Sequence, residues 1–300
     1  MAMNSKNLSV KRKNTINTVL RWCLYVVIAT FMFFPFYFMV TRSVMTMAQS
    51  AERPVVIFPT DFSLDLWKAV FTGSDFSSDQ TTPYLTFLLN TMYIVLFNVI
   101  AVPLSASFVA FGFAKCTFYG KKILFAIMLS TIMLPATIVQ VPLYVLYSDM
   151  NILNTYLPLT LPNLFGGGAM RIFLIHQFMR GIPRELDEAA MIDGAGYFRR
   201  YAQITLPNCV AVLIFVIVEV FVSNWGDYYG PMVYMSVADE SKFTLAYVAF
   251  LKFQKSAVPR PGDEGMRAAI GVLMSIPPLV LFFCFQRNMV EGIVMSGIKG

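Results

Sequence analysis

The residues of this chain best placed to do chemistry gather in one polar island, Ile182 to Pro207, between two long apolar stretches. It reads Ile-Pro-Arg-Glu-Leu-Asp-Glu-Ala-Ala-Met-Ile-Asp-Gly-Ala-Gly-Tyr-Phe-Arg-Arg-Tyr-Ala-Gln-Ile-Thr-Leu-Pro. Its chemistry is that of contact. Small Ala189 and Ala190 permit close approach to a partner's groove, and Glu188 can pair with a basic residue there. Glu188 can also pair with Arg184 one turn back, an interaction of only about 0.2–0.5 kcal/mol. A second acid, Glu219, lies inside an apolar run. An ionised carboxylate there costs a few kcal/mol and so faces a cavity or a partner, Arg171 being one candidate. Amides at Asn90, Asn98 and Gln140 also lie in apolar runs, while Trp225, Tyr228 and Tyr229 cluster at the end of one. Amides beside aromatic faces suit a polyhydroxylated ligand, although amides also join helices and rings also form interfacial belts.

Several chemistries are excluded. The chain has no G-x-x-x-x-G-K-[ST] phosphate loop and no H-E-x-x-H, so it cannot hydrolyse ATP by a Walker-type mechanism alone. Cys23, Cys116, Cys209 and Cys284 are widely spaced with no C-x-x-C pair, which argues against a disulfide framework or a zinc site. The lone histidine, His176, reads as a local hydrogen-bonding group and not a metal ligand. No residue is assigned a catalytic role, and no metal or cofactor is expected on this chain.

The polar island needs short elements to present it. Pro183 falls where a first helical turn needs no donor, and Glu185, Asp187 and Glu188 place negative charge near that helix's positive end. Asp193-Gly194 supplies a residue able to take positive φ and end the helix. About ten residues at about 1.5 Å each give a helix of about 15 Å. A second short helix, Tyr197 to Ile204, precedes Pro207, so the segment 182–207 is expected as a helical hairpin.

Composition places that hairpin on a membrane. The 300 residues are 57% hydrophobic and 13% charged, with a mean hydropathy of +0.63, far from a soluble domain. A hydrocarbon core of about 30 Å takes about 20 helical residues. Apolar runs at 22–40, 86–111, 123–148, 157–178, 206–225 and 268–285 predict an all-α, polytopic protein of six transmembrane helices. The fourth run is interrupted by Gly166-Gly167-Gly168 and Arg171. The net charge of +6 sits in short links without interleaved aromatics, so it reports orientation and not nucleic acid. Basic residues of the tail 1–21, the link with Lys115, Lys121 and Lys122, the loop with Arg180, Arg184, Arg199 and Arg200, and the end with Arg287 and Lys299, next to and within the tail 288–300, fall on one face. By the positive-inside rule that face is cytoplasmic, with both termini and the hairpin. The transmembrane domain is 22–287. Prolines 103, 135, 142, 158, 162, 277 and 278 in or beside the runs hint at a pathway, since such breaks survive only where protein or water satisfies the freed carbonyls.

Glu188-Ala189-Ala190, Asp193-Gly194-Ala195, Ile204 and Leu206-Pro207 resemble the EAA loop of permease subunits in bacterial ATP-binding-cassette (ABC) importers. The likeness is closest to the carbohydrate-uptake, maltose-type branch. Phe58-Pro59 with Trp67 and Phe71, Leu134-Pro135 with Val141-Pro142-Leu143-Tyr144, Trp225, and Gly292 with Gly297-Ile298-Lys299-Gly300 look like that branch too. One departure is Asn224-Trp225, where relatives usually read Trp-Asn. The resemblance implies the type I importer permease fold in the bacterial cytoplasmic (inner) membrane. It implies that Glu188, Ala189, Ala190, Asp193 and Gly194 form a coupling helix seated in a nucleotide-binding subunit. It further implies a second, homologous permease, two ATPase subunits carrying ATP and Mg, and an extracytoplasmic solute-binding protein. The implied cargo is a carbohydrate, an oligosaccharide above others, moved by alternating access. Its path is expected to include Asn90, Gln140, Glu219, Trp225 and Tyr228. The alternative is a self-contained ion-coupled carrier using Glu219. Such carriers show repeated halves with matching broken helices, which are not found here, and the alternative leaves the hairpin unexplained.

Overall fold

The computed structural model describes residues 2–52, 56–72, 82–255 and 263–297. Among them there is no strand, only helices joined by short links and one isolated bridge, Met45 to Phe62. The chain divides into two compact units, Met1–Val70 with Ser74–Asp79 and Ala257–Leu273, and Phe71–Gly73 with Gln80–Ser256 and Met274–Gly300.

The first unit is built on α1, Ala2–Ser43. The basic stretch before Trp22 is thus helical and continuous with the first apolar run. Pro35 sits inside the helix without ending it. Side chains from Val19 to Phe36 are exposed, whereas Thr41, Arg42 and Ser43 are buried. Arg42 pairs with Glu264 and lies 4.8 Å over the Phe38 ring. Two short helices follow: α2, Met47–Ala51, capped by the Thr46 hydroxyl, and α3, Asp65–Thr72, which buries Leu66, Ala69 and Val70.

The second unit is organised around α4, Tyr84–Lys115. Small Ala106 and Ala110 and branched Val102 on one face allow close packing with later helices, and they share a core with Ile175, Met179, Val212, Val216 and Val220. Next come α5, Lys121–Ser130, a 3-10 turn, and α6, Ala136–Asp149. The expected third run is therefore not straight: its halves meet at 104°. Pro135 offers no N–H and forces Leu134 out of the helical region, to φ −78° and ψ 121°.

The fourth run is broken further. Helix α7, Leu157–Thr160, and a 3-10 stretch, Leu161–Phe165, lead to Gly166, Gly167 and Gly168 at φ +92°, +59° and +113°. A Cβ on Gly166 would lie 2.7 Å from Ile172, and one on Gly167 2.7 Å from Val102, so both conformation and space demand glycine. Helix α8, Ala169–Arg180, has 12 residues. At about 1.5 Å each it reaches about 18 Å, short of a hydrocarbon core.

The hairpin follows as α9, Arg184–Ile192, and α10, Tyr197–Arg200, which runs into a π-helical stretch, Tyr201–Thr205. A short α11, Leu206–Asn208, precedes α12, Val210–Trp225, with a 78° bend between 197–208 and 210–225. Then come α13, Tyr229–Tyr234, α14, Leu245–Lys255, and α15, Asp263–Gly297, which begins in the first unit. Residues 288–297 of the expected tail are helical, while Ile298 to Gly300 lie outside the described residues.

Three helical segments are long and apolar enough to cross a membrane, Asn17–Ser43, Tyr84–Lys115 and Asp263–Gln286. The two bent pairs raise the count to five among the described residues. The segment 157–178 adds no helix of that length.

Candidate functional site: a clasped helical hairpin

The local sequence shapes α9 at both ends. Pro183, at φ −51° and ψ 137°, stands just before the first helical residue, and Glu185 and Asp187 occupy the first turn. At the far end Gly194 takes φ +75°. The N–H of Ala195 donates to Ala190 O at 2.9 Å and that of Gly194 to Met191 O at 3.1 Å, the paired bonds of a Schellman cap. A Cβ at Gly194 would meet nothing within 4 Å. Glycine is needed there for its backbone alone.

Two faces of α9 differ in kind. Glu188, Ala189, Asp193 and Gly194 are exposed, with Leu186, Met191 and Ile192 beside them. Glu188 makes no pair with Arg184 and holds no partner among the described residues. Ala190 turns inward, together with Asp187. The Asp187 carboxylate receives Lys115 Nζ on Oδ2 at 2.6 Å and Arg200 Nη2 on Oδ1 at 3.4 Å. Lys115 also reaches Ile182 O at 3.4 Å, and the Arg200 guanidinium lies 5.4 Å over the Tyr197 ring. One residue on, the Tyr201 hydroxyl is 2.8 Å from Ser107 Oγ, and its ring meets Phe108 and Phe111 edge-on. The hairpin is thus clasped to α4.

By sequence alone Asp187 reads as helix-end charge, and Lys115 and Arg200 as signals of orientation. A signal was present. Asp187 and Ala190 are three apart, hence on one face, whereas Glu188 and Ala189 point elsewhere.

The residues expected along a solute path hold separate partners. Asn90 donates to Ser241 O at 2.7 Å and Phe243 O at 3.0 Å, tying α4 to the link before α14. Gln140 Oε1 accepts from the Tyr229 hydroxyl at 2.8 Å. Trp225 is buried, stacked on Phe221, and donates to Met274 O at 2.8 Å. Tyr228 stacks on Phe250 at 4.5 Å. Glu219 accepts from Arg171 on both oxygens, at 2.6 and 2.9 Å. Arg171 also donates to Gly167 O and, at 3.4 Å, to Ser223 Oγ. The glycine break and Glu219 are therefore joined by one arginine. Asn224, where the motif departs from the usual order, accepts from Asn98 at 2.6 Å and so links α12 to α4. His176 is buried with its ring 4.5 Å from Phe125. No set of three metal-binding side chains converges among the described residues.

The hairpin, capped at Gly194 and clasped to α4, thus belongs to a helical chain with several apolar segments long enough to cross a membrane. Comparison with known proteins adds the following. No family model matches the chain. It is 25% identical over 296 residues to the arabinooligosaccharides transport system permease protein AraQ of Halalkalibacterium halodurans, covering 97% of this chain and 100% of that one. It is 29% identical over 247 residues to the maltodextrin transport system permease protein MdxG of Bacillus subtilis, covering 81% and 84%. Its fold matches a solved bacterial ABC transporter involved in the import of the acidic polysaccharide alginate, with a TM-score of 0.78 and 19% identity over 92% of this chain and 97% of that one. The chain is a multi-pass membrane protein similar over most of its length to sugar-transport permeases, with the fold of an ABC importer permease.

Proposed function

We propose that this chain is the membrane-spanning subunit through which a carbohydrate, an oligosaccharide above others, enters the cell, driven by ATP hydrolysed on separate subunits. The observation that carries this reading is the outward face of α9. Glu188, exposed and unpaired, stands among Leu186, Ala189, Met191 and Ile192 on a helix whose other face is fixed to α4. Exposed Glu185, Glu188 and Asp193 beside small and apolar side chains suit a groove with basic residues in it. That groove belongs to a nucleotide-binding subunit, two of which carry the ATP and Mg. A second, homologous permease and an extracytoplasmic solute-binding protein complete the assembly, and six membrane crossings put both termini and the hairpin in the cytoplasm. Closure of the ATPase pair moves the hairpins, and the spans rock between inward and outward openings.

The carbohydrate assignment is supported by the relatives, whose names specify arabinooligosaccharides and maltodextrin. Glu219, half-open beside Arg171 and Ser223, is the polar group we place on the solute path, with Asn90, Gln140, Trp225 and Tyr228 holding the helices around it. An ion-coupled carrier is not supported, since Arg171 occupies both oxygens of the carboxylate that it would need.

The test is to tag the chain, extract its native complex in mild detergent, identify what co-purifies, and screen ATPase activity against a carbohydrate panel with the binding protein added. A second permease, a P-loop ATPase and stimulation by one sugar are the expected result. A lone chain that moves solute in liposomes on an ion gradient overturns it.

A further inference from the structure

Ser107, Phe111 and Lys115 are four residues apart and so form a single stripe along the last turns of α4. Each meets the hairpin or its exit. Ser107 bonds the Tyr201 hydroxyl at 2.8 Å, Phe111 meets the Tyr201 ring with centroids 5.4 Å apart, and Lys115 meets Asp187 at 2.6 Å. Arg200 closes the clasp by reaching back to the same carboxylate. Lys115, Asp187 and Arg200 have side chains at most 10% exposed, and Arg200 Nε is buried without a partner. Two buried cations therefore depend on one carboxylate.

Such a contact cannot slide by small steps. Displacing Asp187 leaves two charges uncompensated away from water, so the contact is either made or broken. Along the chain the connection is of another sort. Between the hairpin and α12 lie a π-helical stretch and a 78° bend, so the regular α-helical hydrogen-bond ladder does not run unbroken from one to the other.

Taking α9 as the docking surface proposed above, we infer that Asp187 is the positioning residue that makes the hairpin and α4 one rigid body. Motion received by Glu188 passes through the Asp187 clasp into α4, through space, and not along the chain into α12. Glu188 meets the motor, and Asp187 transmits its stroke.

The test uses the full complex, with its ATPase subunits and binding protein, in liposomes, and reads uptake per ATP hydrolysed at equal amounts of assembled complex. Asp187→Asn keeps the side chain's size and removes its charge. It is expected to co-purify with the ATPase subunits as the unaltered chain does, and to lower uptake per ATP about tenfold, within the range by which linking residues alter coupling. Lys115→Met is expected to act the same way, whereas Lys115→Arg retains the ratio to within about twofold. A weakened fold would lower uptake and hydrolysis together and leave their ratio alone. If Asp187→Asn yields no complex, Lys115→Met, which preserves the Asp187–Arg200 pair, carries the test. An unchanged ratio in the charge-removing variants, a proportional fall in both activities, or loss of the ATPase subunits from both of those variants overturns the inference. Glu188→Lys keeps the two readings apart. If it leaves the ratio normal, the docking surface itself is misassigned; if it uncouples while Asp187→Asn does not, only the clasp is.

Discussion

Two ion pairs in this chain use the same chemistry for opposite ends. Around Asp187 the side chains of Lys115, Asp187 and Arg200 are 8%, 10% and 8% exposed. In the Arg171–Glu219 pair the values are 22% and 41%. The first joins the end of one helix to a hairpin and is closed on every side. The second is as well made, with both carboxylate oxygens engaged, yet keeps an open edge beside Ser223. A closed pair fixes geometry, because breaking it strands charge. An open pair restrains little but can exchange a bond with whatever reaches it. Surroundings, not residue types, separate the clasp from the candidate contact.

The contrast can be broken by measuring stability and transport on the same variants, taken in order of expected effect on the fold. Asp187→Ala should destabilise the chain by about 3–5 kcal/mol, the usual result of removing one partner from a buried pair. Thermal unfolding of the solubilised protein checks this, and an unmoved midpoint would mean that water already reaches the clasp. Gly167→Ala should cost about 1–3 kcal/mol, from a positive φ and from the Val102 side chain. It should also loosen Arg171, which bonds the Gly167 carbonyl. If Gly167→Ala leaves both the midpoint and substrate affinity alone, the break and the open pair are independent.

Glu219→Gln should change stability by less than about 1 kcal/mol while altering substrate affinity or specificity in uptake kinetics. Unchanged kinetics would reduce the open pair to a second structural tie. Glu188→Lys should shift stability least, within about 0.5 kcal/mol for an exposed, unpartnered side chain, and yet abolish uptake with membrane insertion intact. Normal transport in that variant would falsify the assignment of α9 as a docking face.

What the sequence made legible follows from how far each cause reaches along the chain. Pro183 and Gly194 act on their own backbone, so both ends of α9 are readable from the residues alone. Pro135 and the run Gly166 to Gly168 likewise announced breaks, although not a 104° bend or the tight approach of Val102. The clasp was hidden because Lys115 lies in a different link, and a lysine ending an apolar run looks the same whether it faces water or a carboxylate. Arg171 and Glu219 were each conspicuous inside apolar runs, and the structure joins them. Asn90 and Trp225 looked like ligand groups, but both give their hydrogens to backbone carbonyls of the same unit. The N-terminal stretch was set apart from the first apolar run on charge alone, and a change in composition does not end a helix that has no breaker.

The bare surface of α1 bears on how the protein is made. From Val19 to Phe36 its side chains are exposed, and the segment is one continuous helix, whose backbone hydrogen bonds are internal. A segment of that kind is stable in lipid by itself, as the first stage of two-stage membrane folding requires. It also precedes α4 and the hairpin along the chain. The nascent chain therefore has an anchor that can settle and fix its direction of threading while α4 and the hairpin are still untranslated.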